Sequence, residues 1–384
     1  MKKNKRLVQI YFSIILFSNI FLITGFYAYD PLQLFHKPWG REVTFNKNMR
    51  QQAAGIINNY KFDSIILGSS MFENTSSLES NIKLSGDFIN ISAAGSTYYE
   101  RSLIMTYIFK KQPIKKVIYS LDEDSYLHQR RAYPGYPLEL FDYLYDENRL
   151  NDFKAYLNYD FIKCLLTISK NEECIGQKTT LDRPSAWYNN ENYKSRFGGL
   201  NKWFQAKNDN KIKMAFKKIV LKTKYIESGK VQIPTNIDNN ISRSKYYIDE
   251  TIINFVKKYP ETEFIMVFPP YSRMYYALWA QYDLPYFKMH KAIIEYLVQK
   301  SEVLPNLKIF AFGDHAFLNN IANYKDTAHY HYSINSWILS EIKKGNGQLT
   351  KTNLNKYLNY ITKEAQSYDL ISIGHQIDNY LNRD

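Results

Sequence analysis

Apolar residues fall into three patterns along the chain. The first is one long run, Leu7 to Tyr29, LVQIYFSIILFSNIFLITGFYAY, with no charged residue. As a helix it measures about 35 Å, enough to cross a hydrocarbon core of ~30 Å with some tilt. The second pattern is short: Ile65–Leu67, Phe88–Ile91, Val117–Leu121, Phe264–Phe268 and Leu307–Phe312, rich in Ile, Val and Phe and bounded by polar or turn residues. Parallel strands buried on both faces have this form. The third pattern is helical. Ile248, Ile252, Phe255, Val256 and Tyr259 recur on one face until Pro260 stops them, and Ser96–Lys110 and Lys288–Lys300 behave alike. Strands alternating with helices predict an α/β fold with helices over both faces of a sheet and sites at the carboxyl ends of the strands.

The alternation breaks off between about Tyr126 and Ser244. That stretch holds helical patches (ELFDYLYDENRLNDFKAYL, NKIKMAFKKIVLKTKYI) and loop-like pieces (RPSAWYNNENYKSRFGG, IPTNIDNNIS). It predicts a mostly helical insertion or cap between the third and fourth strands. The expected organisation is therefore a cytoplasmic tip and transmembrane anchor over 1–30, a first domain half over 31–125, the insertion over 126–244, the second half over 245–345, and a helical tail over 346–384.

Charge orients the long apolar run. Lys2, Lys3, Lys5 and Arg6 precede it, and positive flanks stay cytoplasmic, so the body is expected outside the cytoplasm on a single-pass anchor. A cleaved signal peptide normally has a shorter apolar region and ends in small residues. Here the run ends in GFYAYD, which favours an uncleaved anchor. Ser18 and Asn19 lie mid-run, where polar side chains either meet another helix or bond back to their own. Cys164 and Cys174 are the only cysteines. An oxidising exterior allows them one short-loop disulfide, and two free thiols fit the sequence too. A net charge of +13 suits anionic polymers or lipid headgroups as readily as a solvated lysine surface. Zinc-type spacings, a P-loop and RNA-binding signatures are missing from the sequence, which argues against nucleic acid as a partner.

Two stretches carry candidate chemistry. FDSIILGSSMFENTS ends its apolar run on Gly68-Ser69-Ser70. A small residue lets the backbone turn sharply, and a serine just past a strand faces the crevice above the sheet, where backbone N–H groups can stabilise an oxyanion. Serines after strands also serve turns and helix caps. The second stretch, NYKDTAHYHY, places Asp326 three residues before His329. A base needs an orienting carboxylate on its other nitrogen, and a neighbouring carboxylate is expected to raise the imidazole pKa from about 6.5. His331 competes but has no Asp at that spacing. Asp314 and His315 in FGDHAF form another acid–base pair that reads more simply as a turn. Pro269, Pro270, Tyr271 and Arg273 follow the fourth strand as a rim or as packing. Trp187, Tyr188, Trp203 and Phe204, with Arg183 and Arg196, read either as a sugar-stacking surface or as a small satellite core.

Together these residues resemble the SGNH (GDSL-like) hydrolase superfamily, which has an early Gly-x-Ser and a late Asp-x-x-His. The resemblance rests on Gly68, Ser70, Asp326 and His329. It implies a three-layer α/β/α sandwich around a five-stranded parallel sheet, flavodoxin-like in form. It further implies Ser70 as nucleophile, His329 as base, Asp326 as its orienter, and Gly95 with Ser70 as the oxyanion hole. No cofactor or metal is implied, and the substrate-binding residues stay unassigned. The third sequence block departs from the family. Its Asn is replaced by SLDEDSY, with Asp122, Glu123 and Asp124, and an ionised carboxylate cannot donate to an oxyanion. The pattern is similar to membrane-anchored branches of the family: proteins of teichoic acid D-alanylation and extracytoplasmic partners of multi-span membrane O-acyltransferases. The expected function is an acyltransferase or esterase acting on O-acyl, chiefly O-acetyl, groups of a cell-surface polysaccharide. The alternative is a non-catalytic assembly partner on the same fold.

Overall fold

The structure is a computed structural model, which describes residues 2–233 and 235–383. Two sequence readings touch positions outside it: the side chains of Lys2 and Lys3 in the positive flank, and Pro234 in the expected loop IPTNIDNNIS. The chain is a mixed α/β protein around a six-stranded sheet of order β2-β1-β3-β4-β5-β6. The strands are β1 Ser64–Leu67, β2 Phe88–Asn90, β3 Lys116–Ser120, β4 Glu263–Phe268, β5 Leu307–Ala311 and β6 Gln348–Leu349. β1 to β5 are parallel, in register at Ile65–Ile89, Ile65–Val117, Val117–Phe264 and Phe264–Leu307. Each coincides with an apolar run, because a strand covered on both faces needs apolar side chains at successive positions.

The sheet is one strand larger than the five expected. β6 runs antiparallel to β5, Ile309 against Leu349. It escapes the pattern because it is two residues long and sits in the turn-like GNGQLTK. Gly345 ends the preceding helix and Gly347 turns the chain back, both at positive φ, where glycine has no Cβ penalty.

α1 spans Lys2–Tyr29, α2 Met49–Asn59, α3 Ser77–Leu84, α4 Tyr98–Lys111, α5 Glu123–His128 and α6 Tyr159–Leu166. Among the described residues, α1 is the one helix long and apolar enough to cross a membrane, over Lys5–Tyr29, and its most apolar stretch is wholly unburied. Asn19 bonds back to Ile15 O in its own helix at 2.9 Å. α4 starts on a reciprocal cap in which Thr97 and Glu100 satisfy each other's backbone N–H groups. α3 packs on the helix Tyr332–Lys344, and the helix Ile237–Ile248 on the helix Leu284–Ser301. Residues 126–233 consist of short helices and turns, with one longer helix at Asn210–Glu227. Cys164 and Cys174 form a disulfide with a Cα–Cα distance of 5.6 Å.

Candidate active site

β1 ends at Leu67, and the chain turns at once through Gly68. A Cβ on Gly68 would lie 2.8 Å from both Phe72 Cβ and Ser120 Cβ, so only glycine lets the turn pack against β3. The turn holds its shape because side chains bond its carbonyls. Trp187 Nε1 donates to Ser70 O at 2.7 Å. Asn335 Nδ2 and Tyr330 OH donate to Met71 O, and Asn90 Nδ2 to Phe72 O and Thr75 O. Ser70 is thereby fixed, half-buried, at the carboxyl end of the sheet.

The late segment comes to meet it. Ser70 Oγ lies 2.8 Å from His329 Nε2. His329 Nδ1 is 2.9 Å from both oxygens of Asp326. Asp326 Oδ1 also accepts from the backbone N–H groups of Ala328 and His329, which orients the carboxylate. Lys325 Nζ, buried, lies 3.2 Å from Asp326 Oδ2 and rests on the rings of Trp187 and Tyr193. Burial pushes the Asp326 carboxyl up, but His329 and Lys325 outweigh it and hold the group well below the usual range. For His329 the expected upward shift is reversed. Burial lowers the imidazole and Lys325 adds to that, together outweighing the attraction of Asp326. The imidazole is therefore neutral at neutral pH, with Nδ1–H toward Asp326 and a lone pair toward Ser70 Oγ.

A cleft of about 360 Å³ opens beside this trio, lined by Ser69, Ser70, Gly95, Ser96, Asp122, Glu123, Tyr133, Tyr271 and His329 among others. Among the described residues, neither Ser70 N–H nor Gly95 N–H has an intramolecular acceptor. Gly95 takes φ +63°, a conformation natural to glycine. The loop before it is clamped from both sides: Glu73 accepts from Ala94 N at 2.9 Å, and Arg50 donates to Ala94 O at 3.0 Å.

The acidic third block divides its labour. Asp122 is drawn into a buried network: Arg101 donates to Oδ2 at 2.5 Å, and Ser69 and Ser120 donate to Oδ1 at 2.6 and 2.9 Å. Arg101 also holds Ser120 O, Ser96 Oγ and Ser96 O, so the ends of β1 and β3 and the start of α4 are tied together behind the cleft. Glu123 stays on the cleft wall and accepts from Tyr275 OH at 2.5 Å. Burial pushes its carboxyl up to about 7, helped by Asp122. Asp124 is exposed and pairs with Arg130.

The other sequence candidates lie elsewhere. His331 caps the helix Tyr332–Lys344 by accepting from Ser333 N. His315 packs on Trp337, and Asp314 is exposed near Tyr357. Arg273 is buried with Nε on Asn319, and Tyr271 alone of the post-β4 group reaches the cleft. Trp203 is buried and donates to Tyr324 O, Phe204 stacks on Tyr380, and Arg196 pairs with Asp209. Arg183 holds Asn74 O and Glu79, and Tyr188 packs on Tyr332. Only Trp187 touches the trio, edge-on to His329 at 5.9 Å. The sequence reading missed Lys325, Arg101, Glu73 and the special state of Glu123. The adjacency Lys325-Asp326 was the one visible signal. Among the described residues no group of His, Cys, Asp or Glu side chains is arranged to hold a metal ion. Compared with protein-family models the chain matches none, and no curated protein is significantly similar to it.

Proposed function

We propose that the chain is a membrane-tethered, extracytoplasmic serine enzyme that transfers or removes an ester-linked acyl group, chiefly acetyl, on a cell-surface polysaccharide. The observation that carries this reading is the continuous contact Ser70 Oγ–His329 Nε2–Asp326 at 2.8 and 2.9 Å, the geometry of an activated nucleophile with an oriented base. Ser70 Oγ attacks the acyl carbonyl while His329 Nε2 takes its proton. The oxyanion is met by the N–H groups of Ser70 and Gly95. His329 then returns the proton to the departing alcohol, and the acyl-Ser70 is resolved by a sugar hydroxyl or by water. The five parallel strands with two separate helix packs support the SGNH-like sandwich. The Cys164–Cys174 disulfide and the positive flank of α1 support a body outside the cytoplasm, where a multi-span O-acyltransferase is the partner this reading suggests.

A non-catalytic assembly role keeps one observation in its favour. The third-block carboxylate Asp122 is engaged with Arg101 and Ser69, leaving the oxyanion side with two backbone donors and no side-chain amide. Fluorophosphonate labelling of the full-length chain in detergent separates the two. Label incorporated by the parent and lost in Ser70→Ala, with unchanged melting, supports the enzyme; a folded parent that takes no label refutes it.

A further inference from the structure

The last turn of α1 is built into the body rather than joined by a linker. Leu165 of α6 packs over Gly25, with its methyl carbons 3.1 and 3.2 Å from where a Cβ would stand. Phe26 is fully buried and stacks on Tyr156 at 5.1 Å, and Tyr29 OH donates to Ser169 O. Asp30, also buried, accepts from the N–H groups of Leu34, Phe35 and His36 and so fixes the exit of the chain. Residues 7–24 remain largely free to lie in lipid, with Leu22 already partly packed against the body. As a helix they cover about 27 Å, against a hydrocarbon core of ~30 Å. With no length to spare, the surface around residue 25 is held at the depth of the lipid headgroups.

That surface has the corresponding composition. Leu166 is 65% and Ile168 70% exposed, beside the contact with α1. Ile168 holds φ +44°, a left-handed conformation that is strained for a β-branched residue and that glycine would adopt freely. Tyr27 and Trp39 pack edge to face at 5.9 Å and are both exposed, as is Tyr159 at the other end of α6. Lys163 and Lys170 stand exposed among them, and among the described residues neither has a carboxylate partner. Exposed aromatics and lysines around an apolar centre are the signature of a membrane interface.

We propose that this face, centred on Leu166 and Ile168, is seated in the headgroup–acyl boundary of the leaflet from which α1 emerges. The body is then docked on the bilayer in one orientation. The inference rests on α1 spanning the membrane, and the test separates the two. Full-length chain is reconstituted in vesicles with or without brominated lipid, and tryptophan is introduced by Ile168→Trp, Leu166→Trp, Phe17→Trp or Met214→Trp. Phe17 lies within α1, and Met214 is exposed on the helix Asn210–Glu227, whose Lys211 faces the Asp326–His329 end. Leu166→Trp covers the case in which the strained position 168 does not accept tryptophan. The expected result is loss of most of the added fluorescence at positions 17, 166 and 168 and none at 214. Quenching at 17 with positions 166 and 168 no different from 214 overturns the docking while leaving the anchor. Absence of quenching at 17 removes both.

Discussion

Replacing Asp326 by Asn tests the electrostatics of the site with one near-isosteric change. The carboxylate accepts from His329 Nδ1, His329 N, Ala328 N and Lys325 Nζ, and it is buried. An amide has one acceptor oxygen, so one contact must become donor against donor. If Nδ2 faces His329, the imidazole must carry its proton on Nε2, pointing at Ser70 Oγ, and cannot take the hydroxyl proton. The same tautomer error in a comparable triad costs ~10⁴-fold in kcat, about 5 kcal/mol of transition-state stabilisation. If Nδ2 instead faces Lys325, the buried ammonium meets a donor where it had a carboxylate, with no other carboxylate partner among the described residues, a loss worth about 3–5 kcal/mol of stability. Hydrolysis of a chromogenic acetyl ester by the full-length chain, with melting measured in parallel, reads both outcomes. Lys325→Met added to Asp326→Asn should recover melting without recovering rate. An Asp326→Asn protein that keeps activity within ~10-fold of the parent and melts normally refutes the orienting role.

The pH profile should have two limbs. Activity rises at acid pH and levels off below the usual imidazole range because burial lowers His329, then falls as Glu123, held at about 7, puts a charge on the cleft wall. Glu123→Gln should abolish the alkaline fall in kcat/KM, and persistence of that limb in the variant assigns it elsewhere. Stability should fall from pH 5 to 8, since Glu73 and Glu123 keep their protons to about 8 and about 7 when folded and to about 4.3 when unfolded; denaturation of Glu73→Gln should show a flatter dependence. Gly68→Ala should cost about 1–3 kcal/mol through the contacts with Phe72 and Ser120, read by urea unfolding, and an unchanged midpoint contradicts the close approach. His329→Ala should remove most ester turnover, whereas His331→Ala removes only a helix cap worth about 1 kcal/mol; equal loss of rate in the two variants overturns the Asp-x-x-His assignment.

What the sequence made legible was what local pattern and short spacing encode. The five parallel strands stand where apolar runs announced them, and Asp326 and His329 lie three residues apart on one loop, so their contact is a local event. The features that stayed hidden depend on distant parts of the chain. The direction of the His329 shift is set by burial and by Lys325, and burial has no one-dimensional signature. Asp122 looked like a defect in an oxyanion hole because its partner Arg101 reaches it from another helix. Trp203 and Arg196 have the composition of a binding surface, yet one is core and the other a buried ion pair, a distinction that only their neighbours make. β6 is too short for any periodicity to register.

A parallel sheet has two unlike rims, and this chain uses both. Phe35, just beyond α1, lies with Asn59–Phe62 and Pro113, residues that enter β1 and β3, whereas Ser70 and His329 stand where the strands leave. The strands between these rims, five or six residues long in β3 and β4, separate them by about 17–20 Å. On the proposed anchoring by α1, the rim that carries Ser70 is the one opposite the chain's exit at Phe35. On the proposed reading, an acyl group on a polymer rising from the surface would suit that rim better than one on a lipid of the same leaflet.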